Sequence, residues 1–383
     1  MMCCLAQGHK EQFMPFKNSR PYFAAFAAFT LLSTSSMTLA QSVRNANAAP
    51  PRVAAPTSNQ PPKASADMQK VLDALAQLGG KPIETLTPAQ ARMQPTPADA
   101  VKVVKKALGL PTAPDMLVTT TDVSYGSNAK QFARVYRPAG ITDDKKMLPV
   151  IVYYHGGGYV IADVATYDAT PRMLAKELKA LVVSVEYRSA PEFKFPAQHD
   201  DAAAAYRWTL DKAASWGGDP KKVAVAGESA GGNLAVATAI YARDNKLTAP
   251  RHILAVYPIA NKSMTLPSKI DSANAKPLNT AMLKWFGHFY QVSAADGNDP
   301  RLNLVAANLR GLPPVTVINA EIDPLRSDGD TLTTALKAAG NGVKQKTYAG
   351  VTHEFFGMGS VVRGAKDAGM FAVERLKAAF AKK

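Results

Sequence analysis

The spacing of apolar residues divides this chain into segments of two kinds. Between residues 67 and 114, apolar side chains recur every three or four positions, as at Met68, Val71 and Leu75, and this interval predicts helices, including one over 99–108. From residue 117 onward, short apolar runs alternate with helical stretches. The expected strands begin at residues 117, 131, 148, 181, 223, 253, 315 and 343, and the expected later helices cover 169–178, 202–216, 231–243, 328–339 and 366–380.

Several strand runs are apolar at every position, for example LPVIVYY from Leu148 and VAVAG from Val223. Strands that are apolar on both faces and separated by helices are typical of a parallel sheet covered on both sides. The chain is therefore expected to be an α/β protein with a mostly parallel central sheet. Its 383 residues, 47% of them hydrophobic, suffice for one large core.

The N-terminal region has the pattern of an export signal. Lys17 and Arg20 precede the apolar run YFAAFAAFTLL, and small residues that permit cleavage after Ala40 or Ala48 follow it. Met14, just ahead of the basic residues, is a second candidate start. The apolar run is about half as long as a bilayer-spanning helix, so no stable membrane anchor is expected. We therefore expect an exported protein, either periplasmic or secreted.

This pattern divides the chain into three parts. Residues 1–40 are predicted to be a signal peptide, and residues 41–66, rich in Pro, Ala, Asn and Ser, a flexible linker. Residues 67–383 are predicted to form the folded domain. Both cysteines, Cys3 and Cys4, fall in the signal, so the mature chain offers neither a thiol nucleophile nor a thiolate metal site. The formal charge of +15 is scattered without interleaved aromatic residues, and nucleic acid binding is not expected.

The sequence VAVAGESAGG places Ser229 where a buried strand is expected to end and a helix to begin. Gly227 and Gly231 flank the serine and permit a tight turn that exposes its hydroxyl at the top of the sheet. An ordinary strand-to-helix turn uses the same residue types. The location between strand and helix favours a nucleophile.

A second glycine-rich turn, HGGGYV, follows the apolar run that ends at Tyr154. Its unshielded amides are suited to an oxygen that becomes negative during carbonyl attack. The turn lacks the Lys and Ser/Thr of a P-loop and the GxGxxG spacing of a dinucleotide site, so phosphate binding is the weaker interpretation. His155 precedes the glycines and is expected to orient the loop by hydrogen bonding.

A serine nucleophile needs a base and an acid that orients the base, each just beyond a strand. Asp323 follows the predicted strand VTVINAE, and His353 follows the last predicted strand, which is expected to end near residue 348. Asp328 and Asp330 compete for the acid role, but both are expected to begin the next helix and to cap its amides. Glu321 would still lie on or near the strand.

No metal site is expected. His353 begins an HExxH-like string in which Gly357 replaces the second histidine. His199 stands beside Asp200 and Asp201 but has no further cluster of ligands, and these residues are predicted to lie at the surface or at a helix start.

The combination of HGGG, GESAG, DPL and a later histidine resembles the bacterial hormone-sensitive-lipase-like family of carboxylesterases, over roughly residues 117–377. The resemblance implies the α/β-hydrolase fold, with helices on both faces of the sheet and a helical cap built here from about 67–114 and 266–292. It implies Ser229 as nucleophile, Asp323 as acid and His353 as base, with no cofactor. The implied oxyanion hole comprises the amides of Gly157, Gly158 and Ala230, with Gly156 shaping the turn or joining the set.

The resemblance also indicates a substrate pocket under the cap. Trp285, Phe286 and Phe289 in the second cap segment, and Tyr159 beside the HGGG loop, are the expected lining residues. Aromatic residues at helical spacing also occur in ordinary packing, and that alternative stays open.

The sequence departs from the family pattern at several positions. Ser189 stands where leucine is usual, Ala162 and Glu354 where glycine is usual, and 302–304 where Ser-Pro-Leu is common. None of these departures removes a residue of the implied triad. Glu354 and the cap changes would lie near the mouth of the pocket, where they affect substrate preference.

The sequence therefore predicts an exported serine carboxylesterase that hydrolyses short- to medium-chain acyl esters through an acyl-enzyme intermediate. Its expected partner is a small-molecule ester. An amidase or peptidase of the same fold is one alternative, and a hydrolase scaffold that binds a ligand without chemistry is another. The oligomeric state stays open, with a homodimer as one option.

Overall fold

The computed structural model describes residues 62–141 and 147–382. The strands there are Val118–Ser124 (β1), Phe132–Pro138 (β2), Leu148–Tyr154 (β3), Leu181–Val185 (β4), Gly218–Glu228 (β5), Ile253–Val256 (β6), Val315–Ile322 (β7) and Val343–Thr352 (β8). The α-helices are Ala66–Gln77 (α1), Pro88–Ala91 (α2), Pro97–Ala107 (α3), Ala169–Leu178 (α4), Ala197–Lys212 (α5), Ala230–Asp244 (α6), Pro267–Asp271 (α7), Thr280–Tyr290 (α8), Arg326–Ala338 (α9) and Arg363–Ala381 (α10). Short 3₁₀ turns lie at Ile83–Thr85, Ala213–Trp216, Ala294–Asn298, Leu304–Ala306 and Phe356–Met358.

The strands form one sheet in the order β1-β2-β4-β3-β5-β6-β7-β8. β2 pairs antiparallel with β1 and β4, and every other pairing in the sheet is parallel. The predicted fold class, a mostly parallel sheet with helices on both faces, is confirmed. In such a sheet the carboxyl ends of β5, β7 and β8 lie at one edge, where ligands bind in open α/β folds.

The core has two layers because successive side chains of a strand point to opposite faces. On β3, Val150 and Val152 face the layer that contains helices α5, α6 and α9, whereas Ile151 and Tyr153 face the layer that contains α1, α3, α4 and α10. All four side chains are at most 1% exposed. Burial of each such side chain contributes about 1.5–3 kcal/mol, which explains the continuous apolar run in the sequence.

Two predicted boundaries were wrong in ways that concern the site. Helix α5 begins at Ala197 instead of residue 202, and Ala213–Trp216 continues it as a 3₁₀ turn. Strand β8 continues to Thr352 instead of ending near residue 348. The extension of β8 is paired at its end, Ile322 with Thr352, after a register shift that follows Ala320. The sheet therefore carries the chain directly to His353.

The predicted signal peptide and nearly all of the predicted linker lie outside the described residues. Where the described chain begins, the Ser65 amide donates to the carbonyl of Gly350 at 2.8 Å, so packing starts slightly before the predicted boundary at residue 67. Among residues 62–141 and 147–382, no helix is long and apolar enough to cross a membrane.

The two segments predicted to form the cap contact each other. The first carries α1, α2 and α3, and the second carries α7 and α8. The indole of Trp285 donates to the carbonyl of Leu86 at 2.9 Å, and the Asn279 amide donates to Glu84 at 2.9 Å. Asn279 also caps α8, because its side-chain oxygen accepts from the amide of Met282.

Candidate active site

Ser229 lies at a strained turn between β5 and α6. Its φ of 56° and ψ of −118° lie outside the conformations that a residue with a side chain prefers. A Cβ atom on Gly227 would lie 2.0 Å from the carbonyl oxygen of Gly231, and one on Gly231 would lie 2.0 Å from that of Tyr154. Both glycines are therefore required, because only a bare backbone fits this close approach.

Three side chains from distant parts of the chain form one hydrogen-bonded line. His353 Nε2 lies 3.0 Å from Ser229 Oγ, and His353 Nδ1 lies 2.8 Å from Asp323 Oδ2. All three residues are buried, being 5% exposed at most. The second oxygen of Asp323 accepts from the amide of Leu325 at 2.8 Å, which fixes the carboxylate. The three residues that the sequence assigned to nucleophile, acid and base are thus brought together.

The environment of His353 favours its protonated form. Burial opposes the charge on the imidazolium, but Asp323 outweighs this through charge and hydrogen bonding, with further contributions from the carboxyl groups of Glu354 and Glu228, so the pKa of His353 is raised. Tyr257 packs against the imidazole, with 4.5 Å between ring centroids. An imidazole whose pKa is raised by a fixed carboxylate is suited to accept a proton from an adjacent hydroxyl.

The competing acids have other contacts. Asp330 and Asp328 lie within α9, but the prediction that Asp328 caps its own helix was wrong. Its Oδ1 accepts from the amides of Ala260 and Asn261, in the loop after β6, and its Oδ2 pairs with the buried ammonium of Lys269 at 2.9 Å. These partners offset much of the cost of burying the carboxylate, although burial still raises the pKa of Asp328.

The two remaining candidates for the acid, Asp330 and Glu321, do not contact the imidazole of His353 either. Asp330 accepts from the Asn319 side-chain amide at 3.0 Å, and Glu321 accepts from the Gly350 amide at 2.8 Å. Their partners belong to the β7 and β8 region and hold the strands that lead to the site. Asp323 is therefore the carboxylate that contacts His353.

The HGGG loop forms one wall beside Ser229. Gly157 and Gly158 have φ values of +99° and +58°, a region that favours glycine. In the part of the chain that the structure describes, the amides of these glycines and of Ala230 donate to no other protein group. Ala230 is the first residue of α6, where helix amides lack intrahelical acceptors.

His155 holds the HGGG loop from behind. Its ring stacks on Tyr187 with 4.3 Å between centroids, and its Nδ1 lies 2.8 Å from the carbonyl oxygen of Gly156. The Tyr187 hydroxyl donates to the carbonyl of His155 itself at 2.9 Å. The contacts of His155 are those of a residue that orients the loop.

A cavity of about 880 Å³ lies above Ser229. Both cap segments, the HGGG loop and His353 line it. Its apolar wall comes mainly from the cap: Leu72, Leu75, Ile83, Leu278, Met282, Leu283 and Phe286.

Of the four aromatic residues expected in the pocket, only Phe286 lines this cavity. The prediction was wrong for Tyr159, which turns away at a φ of 65° and stacks on Tyr290 with 4.1 Å between centroids. The prediction was also wrong for Trp285 and Phe289, whose rings pack on each other within α8, with 4.9 Å between centroids. These three side chains serve ordinary packing, which is the alternative left open for Trp285 and Phe289.

His199 lies at the start of α5, one of the two locations predicted for it, but it is buried and not at the surface. Its ring is 5% exposed and contacts Asn233 at 2.9 Å and Tyr290 at 3.0 Å, and burial lowers its pKa to about 4. Asp201, also near the start of α5 as predicted, is buried and pairs with Arg188. Within the described ranges, no group of three His, Cys, Asp or Glu side chains is arranged to hold a metal ion.

Sequence reasoning missed a set of polar contacts beneath the site. Glu228, fully buried next to the nucleophile, accepts from the hydroxyl of Tyr153 at 2.6 Å and from that of Tyr257. Tyr167 donates to Glu354 at 2.7 Å. The tyrosines lie in an apolar strand, a loop after a strand and the segment before α4, and no local pattern marks them as partners of carboxylates.

Comparisons with known proteins identify the family to which the chain belongs. A family model described as the alpha/beta hydrolase fold matches residues 151–357. Carboxylesterase NlhH of Mycobacterium tuberculosis is 37% identical over 292 residues, which cover 73% of this chain and 91% of the relative. An ethyl acetate hydrolase of Pseudomonas putida is 35% identical over 247 residues, covering 64% of this chain and 77% of the relative.

Solved esterase structures share the fold. A thermostable esterase from Pseudomonas putida superposes with a TM-score of 0.74 at 32% identity, covering 85% of this chain and all of that one. A hyperthermophilic esterase from Pyrobaculum calidifontis gives a TM-score of 0.72 at 33% identity, covering 84% of this chain and all of that one. Fold, motifs and relatives together make this chain a member of the hormone-sensitive-lipase-like carboxylesterases of the α/β-hydrolase fold.

Proposed function

We propose that this carboxylesterase hydrolyses short- to medium-chain acyl esters through an acyl-enzyme intermediate on Ser229. The observation that carries the proposal is the hydrogen-bonded line from Asp323 through His353 to Ser229 at the base of the cavity. Buried groups in this arrangement activate a hydroxyl that is otherwise a weak nucleophile.

The reaction follows from these positions. As Ser229 Oγ attacks the ester carbonyl, its proton passes to His353 Nε2, and Asp323 stabilises the imidazolium that forms. When the tetrahedral intermediate collapses, the bond to the alcohol oxygen breaks and the alcohol leaves with that proton. Water then gives a proton to Nε2 and attacks the acyl carbon. The second collapse returns the proton to Ser229 and releases the carboxylic acid.

The oxyanion of each tetrahedral intermediate needs donors that are already in place. The free amides of Gly157, Gly158 and Ala230 supply them in this proposal, with Gly156 shaping the turn. Gly156 has little space of its own, since a Cβ there would lie 2.2 Å from the Tyr167 hydroxyl. Loss of one such donor costs on the order of 3 kcal/mol of activation free energy.

The size and lining of the cavity support the substrate class. A volume of about 880 Å³ is in the range of pockets that hold small organic molecules, and its cap wall is largely apolar. Apolar acyl chains gain roughly 0.8 kcal/mol for each buried methylene group. The relative named ethyl acetate hydrolase supports activity on small esters.

We also propose that the protein is exported. The support comes from the sequence alone, in which basic residues, a short apolar run and small residues follow one another before residue 48. Fractionation of the native host, with N-terminal sequencing of the recovered chain, tests this. Recovery of an uncleaved chain from the cytosol would refute it.

Hydrolysis of p-nitrophenyl acetate, butyrate and octanoate by the wild type and by Ser229→Ala tests the main proposal. We expect turnover by the wild type and loss of nearly all of it in the variant, with the chain-length optimum reporting the pocket. The corresponding p-nitroanilides test the amidase alternative. Binding of these esters without turnover by the wild type would favour a ligand-binding homologue.

A further inference from the structure

Glu354 carries a second carboxylate to the imidazole of His353. Its Oε1 lies 3.7 Å from Nε2, the nitrogen that faces Ser229, whereas Asp323 contacts the opposite nitrogen. Glu354 lines the cavity, and its side chain is 21% exposed. The ring of His353 is thus placed between two carboxylates, one beneath the site and one on the side open to substrate.

Tyr167 holds this second carboxylate in place. Its hydroxyl lies 2.7 Å from each oxygen of Glu354, and its ring is buried beside that of His155, with 5.9 Å between centroids. A tyrosine packed under the HGGG loop keeps the Glu354 side chain from rotating into the solvent of the cavity. The distance to Nε2 is therefore set by packing.

The backbone at Glu354 has a conformation that is unusual for a residue with a side chain. Its φ is 70°, in the region where glycine is free of strain and a glutamate is not. Strained residues of this kind persist mainly at functional sites, where the surrounding structure holds them. Glycine would fit this turn more easily, and the hydrogen bonds of the Glu354 carboxylate to Tyr167 offset the strain.

We propose that Glu354 is a positioning residue that stabilises the imidazolium of His353 during both proton transfers of the proposed ester hydrolysis, on which this inference rests. The proton from Ser229 Oγ reaches Nε2 when the hydroxyl attacks and leaves with the alcohol. The proton of the attacking water takes the same route back to Ser229. Glu354 neither gains nor loses a proton in these steps.

Several other ionisable groups face His353, and their locations distinguish Glu354 from them. Asp323 approaches from the end of β7, Glu228 from the end of β5, and Tyr257 covers the ring from the loop after β6. The carboxyl groups of Asp323 and Glu228 are buried, so changing either disturbs the packing of the site. Glu354 is the carboxylate beside His353 that the cavity exposes. Its charge raises the pKa of His353 together with that of Asp323, against the effect of burial.

The test is the pH dependence of kcat/KM for p-nitrophenyl butyrate in Glu354→Gln, Glu354→Gly and Glu354→Asp. We expect the acid limb to shift by about one pH unit toward lower pH in the Gln and Gly variants, because an imidazole without the second carboxylate loses its proton more easily. The plateau rate should fall about tenfold in both, since the imidazolium of the transition state is less stable. The Asp variant keeps the charge and should retain the wild-type limb.

A matched control removes a carboxylate from the same cavity that is already paired. Glu192 is held by Arg92 at 2.7 Å, and Glu192→Gln should leave the acid limb in place. An unshifted limb in both Glu354→Gln and Glu354→Gly would overturn the inference. A uniform loss of rate without a shift, which a structural role would cause, would overturn it as well.

A second readout does not depend on turnover. NMR titration of His353 in the Ser229→Ala background, with and without Glu354→Gln, should show the same downward shift of its pKa. If the wild type fails to hydrolyse esters through Ser229, the proposed function is refuted. An NMR titration that Glu354→Gln leaves unchanged refutes the role of Glu354 by itself.

Discussion

The ring of Tyr257 lies 4.5 Å from the imidazole of His353, centroid to centroid, and the hydroxyl of the same tyrosine donates to Glu228. Glu228 directly precedes Ser229 in the chain. One buried carboxyl group therefore connects the turn of the nucleophile with the packing of the base. Changing Glu228 should therefore alter the stability of the fold and also the dependence of that stability on pH.

Burial raises the pKa of Glu228 to about 7, from 4.5 in the unfolded chain, although the Tyr153 and Tyr257 hydroxyls oppose this. The folded state then binds more protons than the unfolded state between these two values. Protonation of Glu228 therefore stabilises the folded state. This contribution is fully present below about pH 4.5 and is lost as the pH rises through about 7. From pH 5 to pH 8 it should fall by about 2 to 3 kcal/mol.

Glu228→Gln removes this titration. Urea unfolding measures the free energy of unfolding of both proteins at each pH. Between pH 5 and pH 8 this free energy should fall less for the variant than for the wild type. Parallel curves for both proteins over this range would show that Glu228 has no raised pKa.

Asp323→Asn should reduce kcat on p-nitrophenyl butyrate by about 10⁴-fold near neutral pH, with little change in KM. An amide nitrogen at this position donates to Nδ1 and forces the imidazole proton onto Nε2, where it faces Ser229 and prevents base catalysis. Steady-state kinetics, with circular dichroism to check the fold, measure this. A loss below tenfold would mean that another carboxylate orients His353.

Phe286→Leu should widen the cavity beside the HGGG loop, because a Cβ on Gly158 would lie only 2.3 Å from the Phe286 ring. We expect the kcat/KM ratio of octanoate to butyrate esters to rise several-fold. Trp285→Phe is the matched control. It removes the hydrogen bond to Leu86 and about 1 kcal/mol of stability, without a change in that ratio. Equal changes of the ratio in both variants would contradict the cavity lining.

Lys269→Met should lower the free energy of unfolding by about 3 to 5 kcal/mol, because it leaves the buried charge of Asp328 without its partner. The loop from Ala260 to Asn261, which Asp328 holds beside the site, should loosen as well. Lys262, the next residue, is exposed, and its ammonium donates to the exposed side chain of Asn298. Lys262→Met should therefore change stability by about 1 kcal/mol or less. Equal losses in urea unfolding for both variants would rule out this role for the ion pair.

Much of the fold could be predicted from the sequence because the sheet is buried on both faces. Runs such as Leu148–Tyr154 are apolar throughout, and their bounds match the strand found. Short elements of the cap escaped the prediction. Helix α2 has only four residues, which is too short to produce a periodic pattern. It depends instead on a capping box between Thr87 and Gln90. The reach of β8 to Thr352 depends on pairing with β7, which apolar spacing does not reveal.

The residues of the site divide in the same way. Ser229, Asp323 and His353 occupy turns with recognisable neighbours, so motif order places them at one sheet edge. The orientation of Tyr159 depends on its positive φ, which is unusual for a residue other than glycine, and its stacking on Tyr290 stabilises this conformation. Likewise, Glu228 and Tyr153 become partners only when β3 and β5 pair. Contacts made across the sheet have no local signal in the chain.

The most direct test of the central claim is the covalent trapping of Ser229. Incubation with diethyl p-nitrophenyl phosphate should release about one equivalent of p-nitrophenol and abolish esterase activity, because the phosphoryl group stays on the activated hydroxyl. Peptide mass spectrometry should find the diethylphosphoryl group on Ser229, and the Ser229→Ala protein should remain unlabelled. Labelling of another residue, or full esterase activity in Ser229→Ala, would contradict the account.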